Sequence, residues 1–164
     1  HPVRATGMGG RQVRTDPAFG NVFDHFAVEY EYPGGVLVQS ACRQIDNCAG
    51  RVAERLVGTR GTADPSSWID GAEPWDWEGE ARNPYEAEHV ALIASLRAGE
   101  PLNVGEQVAE STMTAILGRM SAYSGQSLTW EQALASEEDL SPAAYELGPL
   151  EVRPVAMPGR TRFF

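Results

Sequence analysis

Residues 22–44 constrain this chain more than any other stretch, because their pattern fits a β-hairpin and little else. Phe26, Val28, Tyr30 and Tyr32 alternate with Ala27, Glu29 and Glu31, so one face is aromatic and branched while the other is acidic. Pro33-Gly34-Gly35 is a strong turn signal, and residues 36–44 supply the return strand. A hairpin needs further strands and a covering layer before it is stable.

The flanking segments supply both. Residues 3–13 open as a strand but hold Gly7, Gly9 and Gly10, which suits a bulge or a close backbone approach. Asp16-Pro17-Ala18-Phe19-Gly20-Asn21 reads as a loop. Residues 51–59 are expected to form another strand, and residues 63–80 short strands and turns around Trp68, Trp75 and Trp77. Strand spacing gives one mostly antiparallel sheet of about five or six strands.

After Asn83-Pro84 the period changes. Proline in the first turn, Glu86 and Glu88 near the positive end of the dipole, and Arg97 before Gly99 predict a helix over 84–98. Tyr85, Leu92, Ile93 and Leu96 give it an apolar stripe. A second helix is expected from about 104 to 123, ending at Ser124-Gly125. Its small residues Ala109, Ser111, Ala115, Gly118 and Ala122 permit close packing. Ser127-Leu128-Thr129-Trp130-Glu131 opens a short third helix, with Thr129 as its cap. Pro142, Pro149, Pro154 and Pro158 leave residues 141–164 as an extended tail on the surface or on a partner. The fold class is therefore α+β: an open-faced, mostly antiparallel β-sheet with helices packed on one face. The domain is expected to span 1–140, followed by the Pro-rich tail.

Composition narrows the function. A net charge of −10 with singly scattered arginines argues against nucleic acid, which needs clustered positive charge. No apolar run reaches the roughly 20 residues that span a bilayer. Cys42 and Cys48 make neither a disulfide framework nor a zinc knuckle, and the three histidines lack metal-ligand spacing. No serine sits in a nucleophile elbow.

Arg11, Arg14, Arg43 and Gln44 are the polar groups best suited to a ligand, since an arginine fork meets hydroxyl, carboxylate or phosphate oxygens bidentately. Surface ion pairing is their bland alternative. Asp24 and His25 are adjacent on an expected strand, so alternation should turn them to opposite faces and keep them from sharing a proton. His89 lies on the first helix four residues after Tyr85. Gly7-Met8-Gly9-Gly10 resembles the start of a dinucleotide fingerprint, but Gln12 takes the place of the last glycine and no helix follows. All thirteen basic residues are arginine, so no catalytic lysine is present.

The stretches HPVRATGMGGRQVRT (1–15), VFDHFAVEYEYPGGV (22–36), CRQIDN (42–47), VGTRGTA (57–63), NPYEAEHVALIASLRAGEPLN (83–103), QVAESTMTAILGRMSAYSGQ (107–126) and WEQAL (130–134) resemble the C-terminal domain of the glucose–fructose oxidoreductase / inositol dehydrogenase family, Gfo/Idh/MocA. The resemblance implies a two-domain enzyme that transfers hydride at a sugar or polyol carbon. An N-terminal Rossmann domain, absent from this chain, would bind NAD or NADP and bring the catalytic lysine and glycine loop. This chain would be the substrate-binding and oligomerisation half, inactive alone, with Arg11, Arg14, Arg43, Gln44 and His89 as substrate-wall residues and the sheet pairing between subunits. The opening His1 without an initiator Met fits a piece of a longer protein, which leaves the compartment open with the cytoplasm slightly favoured over export. Two rival readings stand beside this one. The first is a stand-alone α+β binding or scaffold module without dehydrogenase activity. The second is a small lyase or isomerase using His25 or His89.

Overall fold

The structure, a computed structural model, describes residues 1–80 and 82–163. Ala81 and Phe164, which fall within the expected domain and tail, lie outside them. In chain order the elements are β1 (Arg4–Gly10), β2 (His25–Tyr32), β3 (Val36–Arg43), β4 (Leu56–Gly58), β5 (Gly61–Asp64), β6 (Trp68–Gly71) and β7 (Trp75–Asp76). There follow α1 (Pro84–Ala98), α2 (Gly105–Ser124), β8 (Ser127–Thr129) and α3 (Trp130–Leu134). They form two compact units, one of residues 1–47 and 104–164, the other of 48–103.

The first unit holds an antiparallel sheet in the order β3-β2-β1-β8. The hairpin registers as its alternation requires, with Tyr30 opposite Val38 and Ala5 opposite Tyr30. Ala5, Val28 and Tyr30 point toward α2 and α3, and they are buried with Leu117, Met120, Leu128, Trp130 and Ala133. The other face stays open. Met8 is 72% exposed and Leu37 58%, alongside the acids Glu29 and Glu31.

At Gly7 helix α2 approaches β1 so closely that there is no room for a side chain. A Cβ on Gly7 would lie 2.9 Å from the backbone nitrogen of Ala122 and 3.1 Å from the carbonyl of Gly118. At Gly118 a Cβ would strike the hydroxyl of Tyr30. Ser121, fully buried, joins the two elements: its hydroxyl accepts from the Gly7 N–H at 2.7 Å and donates to the Gln126 carbonyl at 2.6 Å. This satisfies a strand donor just past the last residue that β8 pairs.

β8 was not expected from the sequence. Three residues directly after a helix carry no alternation to read, yet they pair with Arg4–Thr6 and bury Leu128. Thr129, the last residue of β8, caps α3 in a reciprocal capping box with Gln132. The expected tail has no helix or strand among its described residues, but its end is docked. Gly159 donates to the Ser124 carbonyl at 2.7 Å, and Phe163 packs against the core.

The second unit is a separate meander, β4-β5-β6-β7, so the strands form two sheets and not one. The strand expected over 51–59 begins only at Leu56. Residues 51–55 offer Val52 as their one large apolar side chain, and it is fully exposed, so nothing drives them into a ladder. Helix α1 matches the predicted bounds: Asn83 accepts from the Tyr85 N–H at 3.0 Å and Gly99 ends it in the left-handed region. Its apolar stripe stays substantially exposed, with Leu92 and Ile93 each at 45%.

The contact between β1 and α2 gives a direct test. Gly7→Ala should destabilise the chain by about 1–3 kcal/mol in denaturant unfolding, because backbone rather than a flexible side chain must move. Gly148→Ala, where an added Cβ meets nothing within 4 Å, should stay within about 0.5 kcal/mol of the parent.

Candidate functional site

The ligand-type residues of the first unit gather where β1 ends, β2 begins and β3 ends. Between Gly10 and His25 the chain makes a loop, closed at its neck by the Asp24 N–H donating to the Gly10 carbonyl at 2.9 Å. Two side chains of opposite charge organise this loop. The Asp24 carboxylate, with no exposed side-chain surface, accepts through Oδ2 from three consecutive backbone N–H groups: Gln12 and Val13 at 2.7 Å and Arg14 at 3.0 Å. The Arg11 guanidinium collects carbonyls instead, donating to Arg14, to Gly20 at 2.5 Å and to Asp16 at 3.0 Å. Asp16 caps the short turn at Pro17–Phe19 by accepting from the Ala18 N–H at 2.8 Å.

Oδ1 of Asp24 faces the Nδ1 of His25 at 2.8 Å. This overturns the sequence expectation that the two residues diverge. Alternation holds only within a pleated strand, and Asp24 lies one residue before β2 begins. Burial works to raise the Asp24 pKa. The backbone donors of Arg14, Val13 and Gln12, together with the imidazole of His25, outweigh it and hold the carboxyl far below the usual carboxylate range. The sequence offered Asp24 only as a neighbour of His25. Its three other partners are backbone groups that no residue identity announces.

Of the five residues expected from sequence, four lie in this region. Arg11 is committed to the loop carbonyls. The Arg14 Nε donates to the Gln44 carbonyl at 2.7 Å, and the guanidinium carbon lies 5.0 Å above the Phe19 ring. The Gln44 N–H in turn donates to the Asp24 carbonyl at 2.8 Å. Arg43, the last residue of β3, pairs across the sheet with His25. The fifth, His89, belongs to the second unit, where its Nδ1 donates to the Tyr85 carbonyl at 2.6 Å and lies 3.6 Å from Glu88.

Val13, Arg14, Phe19, Gln44, Ile45 and Asp46 line a cleft of about 300 Å³. A second cleft of about 370 Å³ lies in the other unit, between β4, β5 and β6, and its charged lining is the exposed pair Arg60–Glu73 at 3.8 Å. The smaller cleft is the better candidate, since a guanidinium, an amide side chain and a carboxylate meet there beside an aromatic ring.

The glycines of β1 lie in an antiparallel strand that packs on α2, a loop follows them, and the consecutive N–H groups beyond donate to Asp24. No group of three His, Cys, Asp or Glu suited to a metal occurs among the described residues. No described helix is long and apolar enough to cross a membrane.

Among solved structures, the chain is similar to the aldose–aldose oxidoreductase from Caulobacter crescentus, crystallised with glycerol, at a TM-score of 0.62. The likeness is one of fold. Sequence identity is 20%, and the match covers 79% of this chain but 41% of the oxidoreductase, so this chain spans less than half of that protein's length. No family model matches the chain, and no curated protein sequence does so.

The charge on Asp24 sets a pH signature. Its folded pKa lies below the unfolded value of about 4, so the stability it contributes is complete above that value and drains away as pH falls below it. Asp24→Asn should lower Tm at neutral pH, with the gap to the parent closing as the solution is acidified below about pH 4. A gap that persists unchanged to the acid transition would show that the charge is not what holds the loop.

Proposed function

We propose that this chain is the substrate-binding and oligomerisation domain of an NAD(P)-dependent sugar or polyol oxidoreductase of the Gfo/Idh/MocA type. The observation that carries the reading is the shared fold with an oxidoreductase whose name describes aldose chemistry, which agrees with the family resemblance of residues 1–15, 22–36, 42–47, 57–63, 83–103, 107–126 and 130–134. The cleft beside Arg14 and Gln44 adds a preformed polar wall of the kind a polyhydroxylated molecule needs. Arg14, Arg43 and Gln44 hold the ligand in this reading, and Arg11 shapes the loop that carries them.

The nicotinamide cofactor belongs to a partner domain, because the glycines here are spent on packing. When bound there it supplies the hydride acceptor. The residues of this chain contribute orientation: guanidinium donors and an amide that fix hydroxyl oxygens, on a loop whose shape is set before the ligand arrives. The open face of the sheet serves assembly, with Met8 and Leu37 as exposed apolar contacts flanked by acids.

Two measurements test this. Titration of the chain with D-glucose or glycerol should shift the backbone amide resonances of Arg14 and Gln44 saturably, while NAD and NADP give no micromolar binding. Silent Arg14 and Gln44 amides at high polyol, or tight nucleotide binding, would contradict the reading and favour a module of another kind. Light scattering should report a multiple of the chain mass, and Met8→Asp with Leu37→Asp should return it to a single chain.

A further inference from the structure

His25 is held in a way that the substrate wall alone does not require. Its ring lies on the open face of the sheet, in register with Gly10 on one side and Arg43 on the other. Gly10 has no side chain to compete for the space: a Cβ there would sit 3.2 Å from Cε1 and 3.4 Å from Nε2 of the imidazole. Asp24 is ionised and buried, and its Oδ2 is fully engaged by three backbone donors, so Oδ1 is left to accept from Nδ1–H of His25. That contact selects one tautomer. In the neutral ring Nε2 then carries the lone pair, and among the described residues it has no hydrogen-bond partner. The side chain keeps 39% of its surface exposed.

We infer that His25 is a ligand-binding residue whose Nε2 accepts a hydrogen bond from a substrate hydroxyl, with Asp24 as the residue that positions it. This rests on the sugar or polyol reading above and deepens it. Arg14 and Gln44, which line the cleft at this end of the sheet, carry side-chain N–H groups, and donors meet ligand oxygens equally whether these carry hydrogen or not. An acceptor held at a fixed tautomer is different, because it requires an O–H. The combination selects polyhydroxylated ligands over ethers, ketones and carboxylates of the same shape. The chemical class is a free sugar or polyol with an unsubstituted hydroxyl placed over Gly10.

The test is nitrogen NMR of the full 164-residue chain with labelled imidazoles, in mildly alkaline buffer, using D-glucose and glycerol as probes. The expected spectrum shows His25 as the Nδ1–H tautomer, with Nε2 shifting on addition of either probe and Nδ1 hardly moving. A fully O-methylated glucose, which has oxygens but no O–H, should leave Nε2 unmoved. His25→Asn keeps an N–H donor near the Nδ1 position and removes the acceptor at the Nε2 position, beyond the reach of the shorter amide. It should weaken glucose binding about two- to tenfold, the worth of one hydrogen bond, with Tm nearly unchanged. Gly10→Ala, which displaces the ring without altering its nitrogens, should weaken binding in the same direction. If the amides of Arg14 and Gln44 respond to glucose while Nε2 does not, the inference on His25 falls and the polyol reading stands. If none of these positions responds, both fall.

Discussion

The arrangement at the end of the sheet depends on one buried carboxylate that is solvated by backbone. Asp24 replaces its lost water with three amide N–H groups and one imidazole, and the burial cost is thereby met within the loop that the carboxylate organises. Remove that charge and residues 12–14 have no reason to converge. Arg14 would lose the backbone position from which its side chain reaches Gln44, and His25 would lose the contact that orders its ring. The cleft, the guanidinium above Phe19 and the fixed tautomer are all downstream of that single group.

What supports the loop is a sheet clamped from one side. Gly7 and Gly118 bring β1 and α2 into backbone contact, and Ser121 fills the one donor that this closeness leaves over. β1 stays paired with β2 as far as Gly10, so the loop starts from the sheet itself. The site is thus displayed from the rigid part of the first unit, although most of its residues are in a loop.

Much of this fold was legible in the residues. The hairpin followed from the alternation of Phe26 to Tyr32 and the Pro-Gly-Gly turn, and α1 from Asn83, Pro84, Arg97 and Gly99. Each is a local signal in which side-chain chemistry acts on its own backbone. The division into two sheets was not legible, because strand signals do not say which strands pair, and residues 51–55 looked more regular than their exposed Val52 allows. β8 is three residues long, and its pairing with β1 is decided about 120 residues away. Arg14, Arg43 and Gln44 were singled out by their chemistry, and the structure places them at the same end of the sheet. Arg11 was singled out with them, but its geometry ties it to the loop carbonyls. The Asp24–His25 pair was discounted by a rule about strands that stops applying one residue before the strand begins.

Arg11 and Asp24 divide the loop's backbone between them, the cation gathering carbonyl oxygens and the anion gathering amide hydrogens. Neither depends on a mobile opposite charge across open water. Dissolved salt weakens attractions between solvated ions such as Arg60 and Glu73, but it has little hold on a charge seated among fixed dipoles. A brine that loosens the surface pairs of this molecule should therefore leave the shape of the loop between β1 and β2 intact.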